Sequence, residues 1–164
     1  MIRKVRLEDA EGLANLVNQV EAETDFMLYG AGERQMNQDK AAKMIEAFSA
    51  QGNSAIFVAE MDGQLAGYLL LIGGASPRNR HAASLVIGIL QKASGQGLGS
   101  DMMAYAFQWA KEAGLSRIEL TVMRHNERAQ RLYQRVGFER EGIKRNSLLV
   151  HGEYVDELIM AKLL

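Results

Sequence analysis

Apolar positions recur along the chain at two periods, and the switches between them mark out its elements. Residues Ile2 to Arg6 alternate apolar and charged, which predicts a short first strand. Behind the acidic Glu8 and Asp9, the positions Leu13, Leu16, Val17 and Val20 share one helical face. From Thr24 to Gln38 the pattern dissolves, with Gly30 and Gly32 interrupting or following Phe26, Met27, Leu28 and Tyr29, and an irregular loop or broken helix is expected. Asp39 is read as the cap of a second helix carrying Ala41, Ala42, Met44, Ile45 and Phe48, which Gly52 stops.

The period then shortens. Ala55 to Met61 and Leu65 to Ile72 read as strands joined by Asp62-Gly63, a strong hairpin signal. After a loop marked by Pro77, Ala82 to Leu90 is another strand, followed by a helix with Leu98, Met102, Met103, Ala106, Phe107 and Ala110, closed by Gly114. Ile118 to Val122 alternates as a strand, and Asn126 opens a shorter helix with Ala129, Leu132, Tyr133 and Val136, closed by Gly137. Phe138 to Leu149 and Tyr154 to Leu163 form a last pair turning at His151-Gly152. The order βααβββαβαββ predicts an α/β protein, a mixed sheet with helices packed on it.

Composition narrows the picture. The 164 residues, 48% hydrophobic and 24% charged, suit a single domain over 1–164. Lysine and arginine total 19 against 20 acidic residues, so no global field draws nucleic acid or a membrane surface, and any anion site must be local. The absence of cysteine excludes disulfides, thiolate nucleophiles and cysteine zinc sites, and His81, His125 and His151 lack metal-ligand spacing, so no metal is expected. The charged start, MIRKVRLEDAEG, and the lack of any apolar run near the roughly 18 residues of a membrane span lead to the expectation of a cytoplasmic protein.

One stretch carries chemistry. In IGILQKASGQGLGS, Ile87 to Ser100, a strand feeds a helix through Gly95, Gly97 and Gly99. The first turn of such a helix offers unpaired N–H groups and the positive end of the macrodipole, and glycine lets the backbone close on a phosphate. A nucleotide-hydrolysing P-loop needs Gly-Lys-Ser/Thr, whereas Ser100-Asp101 follow here. A dinucleotide fold needs GxGxxG in a parallel βαβ unit; Glu119 stands near the distance of its acidic residue, but antiparallel strands precede this turn.

The run from Ile87 to Gly99, together with NERAQRLYQRVGF about 30 residues on, resembles the GNAT superfamily of N-acetyltransferases, whose signature joins a Q/RxxGxG/A turn to an NxxAxxLYxxxGF helix. The resemblance spans roughly Ala55 to Leu164 and includes the strand order. It implies acetyl-CoA as cosubstrate, with Ser94, Gly95, Gln96, Gly97, Leu98 and Gly99 around the pyrophosphate and Ser100 beginning the helix behind. It implies that Ile87, Gly88 and Ile89 form a splayed strand pairing with the pantetheine arm, that the Ile89 N–H faces the thioester oxygen, that Asn126 contacts the arm, and that Tyr133 protonates the departing thiolate. Ser94 departs from the family's arginine, glutamine or lysine; Lys92 is one candidate to compensate, and Arg128 or Arg131 is another cation for the ribose phosphate.

The acceptor implied is a small-molecule amine, an amino acid or relative, with Phe26 to Glu33 as its wall; protein N-termini or lysines are the alternative, and a non-catalytic CoA-binding module is the reading from another class. The amine must lose a proton, and Glu60, Glu119, Glu33, His81 or water are the candidates to receive it. Families of this shape are often dimers, which makes a homodimer one option; no sequence feature fixes the oligomeric state.

Overall fold

Alternation along the strands sorts their side chains onto two faces of one sheet, and each face acquires a helical layer. The computed structural model describes residues 1–164. Strands β1 (Ile2–Lys4), β2 (Ala55–Met61), β3 (Gln64–Gly73), β4 (Ala82–Ile89), β5 (Arg117–Met123), β6 (Glu139–Val150) and β7 (Glu153–Leu163) pair in the order β1-β2-β3-β4-β5-β7-β6. The helices are α1 (Ala10–Glu23), α2 (Gln38–Ser49), α3 (Leu98–Glu112) and α4 (Glu127–Arg135). The element order is the one expected from the pattern, and no helix is long and apolar enough to cross a membrane.

Phe57, Leu69, Leu71, Ala83, Leu85, Ile118, Leu120, Leu158 and Met160 face α3, which contributes Met102, Met103, Ala106 and Ala110. On the other face Ile56, Val58 and Tyr68 meet Leu13, Leu16, Val17 and Val20 of α1 and Ala41 and Ile45 of α2. Phe57 anchors the first layer, its ring 5.6 Å from Tyr105 and 5.7 Å from Trp109 in edge-on geometry. Arg3 clamps the first strand with a bidentate pair to Asp9 at 2.8 and 2.9 Å.

Turn chemistry fixes the hairpins. Asp62 and Gly63 both take positive φ, 52° and 76°, as do His151 and Gly152 at 50° and 79°, the two-residue geometry that matches strand twist. One expectation needs correcting: Asn37, not Asp39, caps α2, its Oδ1 accepting the Lys40 N–H at 2.9 Å, while Asp39 lies in the first turn. The first strand also stops at Lys4, two residues short of Arg6.

The sheet is antiparallel except between β4 and β5, which are parallel and pair only at Ala82–Arg117, Ala83–Ile118 and Ser84–Glu119. Beyond Ser84 the two strands part. The partner strands still hold each side along its length, since β3 pairs with β4 through Ile89 and β7 pairs with β5 through Met123. A cleft therefore opens inside the sheet.

Gly88 sits at the open end of β4, and a Cβ there would stand 2.5 to 2.9 Å from the ring and hydroxyl of buried Tyr68. Gly88→Ala is therefore expected to cost about 1–3 kcal/mol in urea unfolding by overpacking, and to cost measurably less in a Tyr68→Val background, where the obstructing ring is gone.

Candidate active site

The cleft between β4 and β5 has a volume of about 610 Å³. Its first wall is the edge of β4. Gly74 donates to the Ala82 carbonyl and Leu90 donates to the Ala66 carbonyl, both at 2.9 Å, so the even-numbered residues of β4 turn their backbone groups toward β3. By the same alternation Leu85, Ile87 and Ile89 turn their N–H and C=O groups toward β5, and no strand meets those of Ile87 and Ile89. The expected splayed strand is present, with the Ile89 N–H at its open end.

The second wall is the turn into α3. Gly97 takes φ 81° at the N-cap, Gly95 takes φ 76°, and no side chain caps the helix. The first intrahelical bond runs from the Asp101 N–H to the Gly97 carbonyl at 3.1 Å, and no acceptor within the chain takes the amides of Gly95, Gln96, Gly97, Leu98, Gly99 or Ser100. Six consecutive donors at the positive end of a 15-residue helix make an anion cradle. At Gly99 the space is set by packing, because a Cβ would stand 3.0 Å from Leu132 and 3.4 Å from Ile89.

Ser94 is a correction. It lines the cleft, but its N–H donates to the Gln91 carbonyl at 3.1 Å and its hydroxyl donates to the Leu90 carbonyl at the same distance, so it has no donor left for a phosphate. The cradle begins at Gly95. Gln96, expected in the cradle, does not line the cleft, and its side chain donates to the Lys92 carbonyl at 3.3 Å. Of the three cations considered, Arg128 is the one that lines the cleft, with a guanidinium nitrogen 3.4 Å from where a Gly95 Cβ would lie. Lys92 does not line it, and Arg131 faces Glu127 at 3.9 Å instead.

Helix α4 supplies two expected groups. Asn126 caps it, Oδ1 accepting the Ala129 N–H at 3.3 Å, and also lines the cleft. Tyr133 lines the cleft while its ring stands 5.7 Å from Phe138, edge-on, in the core. Burial pushes its phenol up to about 12.

The third side is the segment after α1. Phe26, Met27 and Leu28 line the cleft, whereas Tyr29 lies under the Arg34 guanidinium at 4.2 Å, and Arg34 pairs at 2.8 Å with Glu21, itself 2% exposed. The expected wall thus ends at Leu28 and does not reach Glu33. All four candidate proton acceptors also fall outside the cleft lining. Glu60 faces Arg3 at 3.3 Å, Glu119 pairs with Arg117 at 3.0 Å, Glu33 lies in the loop beyond Leu28, and His81 precedes β4 at its paired end. The carboxylates that do line the cleft are Glu23 and Glu157, joined by Val20, Thr24, Thr121, Met123 and Leu148. Strand parity could have hinted at Thr121 and Met123; Leu148 and Glu157 come from the β6–β7 pair, whose register shifts between Lys144 and Leu148, and no local signal gives that shift.

The model of the acetyltransferase (GNAT) family matches residues 20–138. An L-amino acid N-acetyltransferase of Escherichia coli is 34% identical over 109 residues, 64% of this chain and 65% of that protein. A ribosomal protein uS5 alanine N-acetyltransferase of the same organism is 34% identical over 82 residues, 49% of this chain and 42% of that protein. The chain thus spans less than two thirds of the length of either curated relative. The crystal structure of a GNAT-family acetyltransferase from Streptococcus pneumoniae superposes with a TM-score of 0.96 at 30% identity, covering 100% of this chain and 99% of that one.

The cradle predicts which cation matters. Arg128→Ala should weaken CoA binding about two- to fivefold, an effect that shrinks as salt rises, while Lys92→Ala leaves the dissociation constant unchanged; titration calorimetry at two ionic strengths checks both.

Proposed function

The chain belongs to the acetyltransferase (GNAT) family, and on that premise we propose that it transfers the acetyl group of acetyl-CoA to the nitrogen of a small primary amine by direct attack. The observation that carries this reading is that Gly95, Gly97, Leu98, Gly99 and Ser100, whose amides have no partner in the chain, line the same cleft as Tyr133 and the free edge of β4.

In this reading these amides and the α3 dipole receive the pyrophosphate, each charge-assisted bond contributing about 1.5–3 kcal/mol. Ile87 and Ile89 pair with the pantetheine arm as an added strand over Gly88, which satisfies backbone groups that otherwise need water. Asn126 reaches the arm with its amide nitrogen while its oxygen stays on the Ala129 N–H. The Ile89 N–H donates to the thioester oxygen, where negative charge collects as the amine attacks. Tyr133 gives its proton to the departing sulfur while the nitrogen sheds its own to water in the cleft; burial favours the neutral phenol, so this acid is fully loaded at physiological pH. No covalent enzyme intermediate is needed.

The two curated relatives are named for L-amino acids and for an alanine of a ribosomal protein. Phe26, Met27 and Leu28 beside the cleft favour an acceptor of pocket size over a protein segment. Retention of Tyr133 beside the cradle speaks against a module that only binds CoA.

Saturating acetyl-CoA is expected to raise the unfolding midpoint by several degrees, as ligand at about 100 times its dissociation constant adds roughly 2.7 kcal/mol. Tyr133→Phe should keep that shift while lowering kcat by about two orders of magnitude. The acid form of Tyr133 is the active one, and its upward shift keeps that form present at pH 10, where an ordinary tyrosine is half ionised. Turnover should therefore show no falling limb centred near pH 10, and a limb there that Tyr133→Phe abolishes would speak against the burial argument.

A further inference from the structure

We propose that the acceptor is a small primary amine with an apolar body and a neutral group in the place where a free amino acid carries its carboxylate, and that Glu157 receives its ammonium. This rests on the acetyltransferase reading above and goes on to the chemical class of its acceptor.

The charges along the cleft are unevenly divided. Its two lining cations, Arg128 and Arg135, lie on the face of α4 that also carries Leu132, and Leu132 packs against the Gly99 position. With Arg128 beside Gly95, that face belongs to the phosphate cradle. The rest of the lining, from α1 and the segment after it and from β4, the turn into α3, β5, β6 and β7, includes two carboxylates, Glu23 and Glu157, and no cation. Of the two, Glu23 is already engaged, its Oε2 accepting the Gln91 N–H at 2.8 Å. Glu157 remains.

Glu157 lies in β7 opposite Met123 of β5 and Lys144 of β6, and its side chain is only 12% exposed. Its one charged neighbour is Lys144, whose Nζ stands 3.7 Å from Oε1, longer than a hydrogen-bonded pair, on a side chain half exposed to solvent and absent from the cleft lining. A carboxylate so enclosed and so loosely paired is a strong receptor for a second, desolvated cation.

Of the other cations nearby, Arg124 pairs with Asp156 at 3.2 Å, Arg34 with Glu21 at 2.8 Å, and His151 with Asp25 at 3.1 Å, and neither these nor Arg145, which lies beside Asp156, lines the cleft. A free amino acid entering with its ammonium on Glu157 would bring its carboxylate into an apolar wall beside two carboxylates. An amine without that carboxylate meets Glu157 with its charge and Phe26, Met27, Leu28 and Leu148 with its body.

The experiment is titration of CoA-saturated protein, which needs no turnover, with matched ligands: L-phenylalanine against L-phenylalaninamide, and L-leucine against L-leucinamide. The amides are expected to bind at least about tenfold more tightly than the acids, and Glu157→Gln to weaken the amides about tenfold while the thermal shift given by CoA is retained. Lys144→Met should tighten amide binding by about two- to fivefold, because it frees Glu157 of a competing cation; a merely structural role for the pair predicts the opposite sign. Equal or reversed preference between acid and amide, no amide binding, or an unchanged Glu157→Gln variant overturns the proposal. A phenylalanyl tripeptide that binds more tightly than phenylalaninamide overturns the small-acceptor assignment. Absence of any thermal shift with CoA instead overturns the acetyltransferase reading on which it stands.

Discussion

The parting of β4 from β5 after three residue pairs is the constraint on which the rest of this molecule depends. A strand inside a sheet normally spends its backbone groups on two neighbours. Here Ile87 and Ile89 keep theirs for the cleft, and the sheet remains continuous only because β3 and β7 hold the two diverging strands from outside along their full length. The divergence makes room for α3 to begin directly beside the open end of β4, so that the unpaired strand edge and the unpaired helix amides meet in one cavity.

The divergence also dictates packing on both faces of β4. Leu132 and Ile89 close over Gly99 on one face, and the Tyr68 ring covers Gly88 on the other. Neither glycine needs an unusual backbone angle, since the positive-φ glycines of this region are Gly95 and Gly97. Two physical demands therefore share one short stretch: small size where elements press together, and left-handed backbone where the chain turns its amides inward. A protein selected for stability alone would have little reason to leave six helix-start amides uncapped, because one Ser, Thr, Asp or Asn at the cap position recovers about 1 kcal/mol. Glycine at position 97 forgoes that gain and keeps the donors available.

Much of this was legible in the chain because periodicity and turn chemistry are local. Asp62-Gly63 and His151-Gly152 sit in their turns with both φ values positive, and the helices begin and end close to their apolar stripes. What was not legible has a common cause. Ser94, Glu60 and Glu119 are polar groups whose meaning depends on which neighbour takes them, and that neighbour is set by the fold or by the closure of a turn that the residue types do not specify. Glu119 shows it most plainly: it shares a face with Thr121 and Met123, which line the cleft, yet it stands beside β4 where the strands are still paired, and Arg117 holds it. Glu157 was invisible for the complementary reason. Its place depends on two antiparallel registers, β7 against β5 and β7 against β6, the second shifted by irregularities.

The cleft that results carries both signs of charge: helix-start amides, the α3 dipole, Arg128 and Arg135 on one hand, and the carboxylates Glu23 and Glu157 on the other. Because the cavity is partly desolvated, these charges are less screened than at an open surface. An anionic group entering it is drawn to the amides and arginines, and a cationic one to the carboxylates. The net charge of −1 conceals this arrangement, because nearly equal numbers of acidic and basic groups cancel in the sum and not in the cleft. The topology that opens the gap, more than any single side chain, is what brings the start of α3 and a carboxylate of β7 to one cleft.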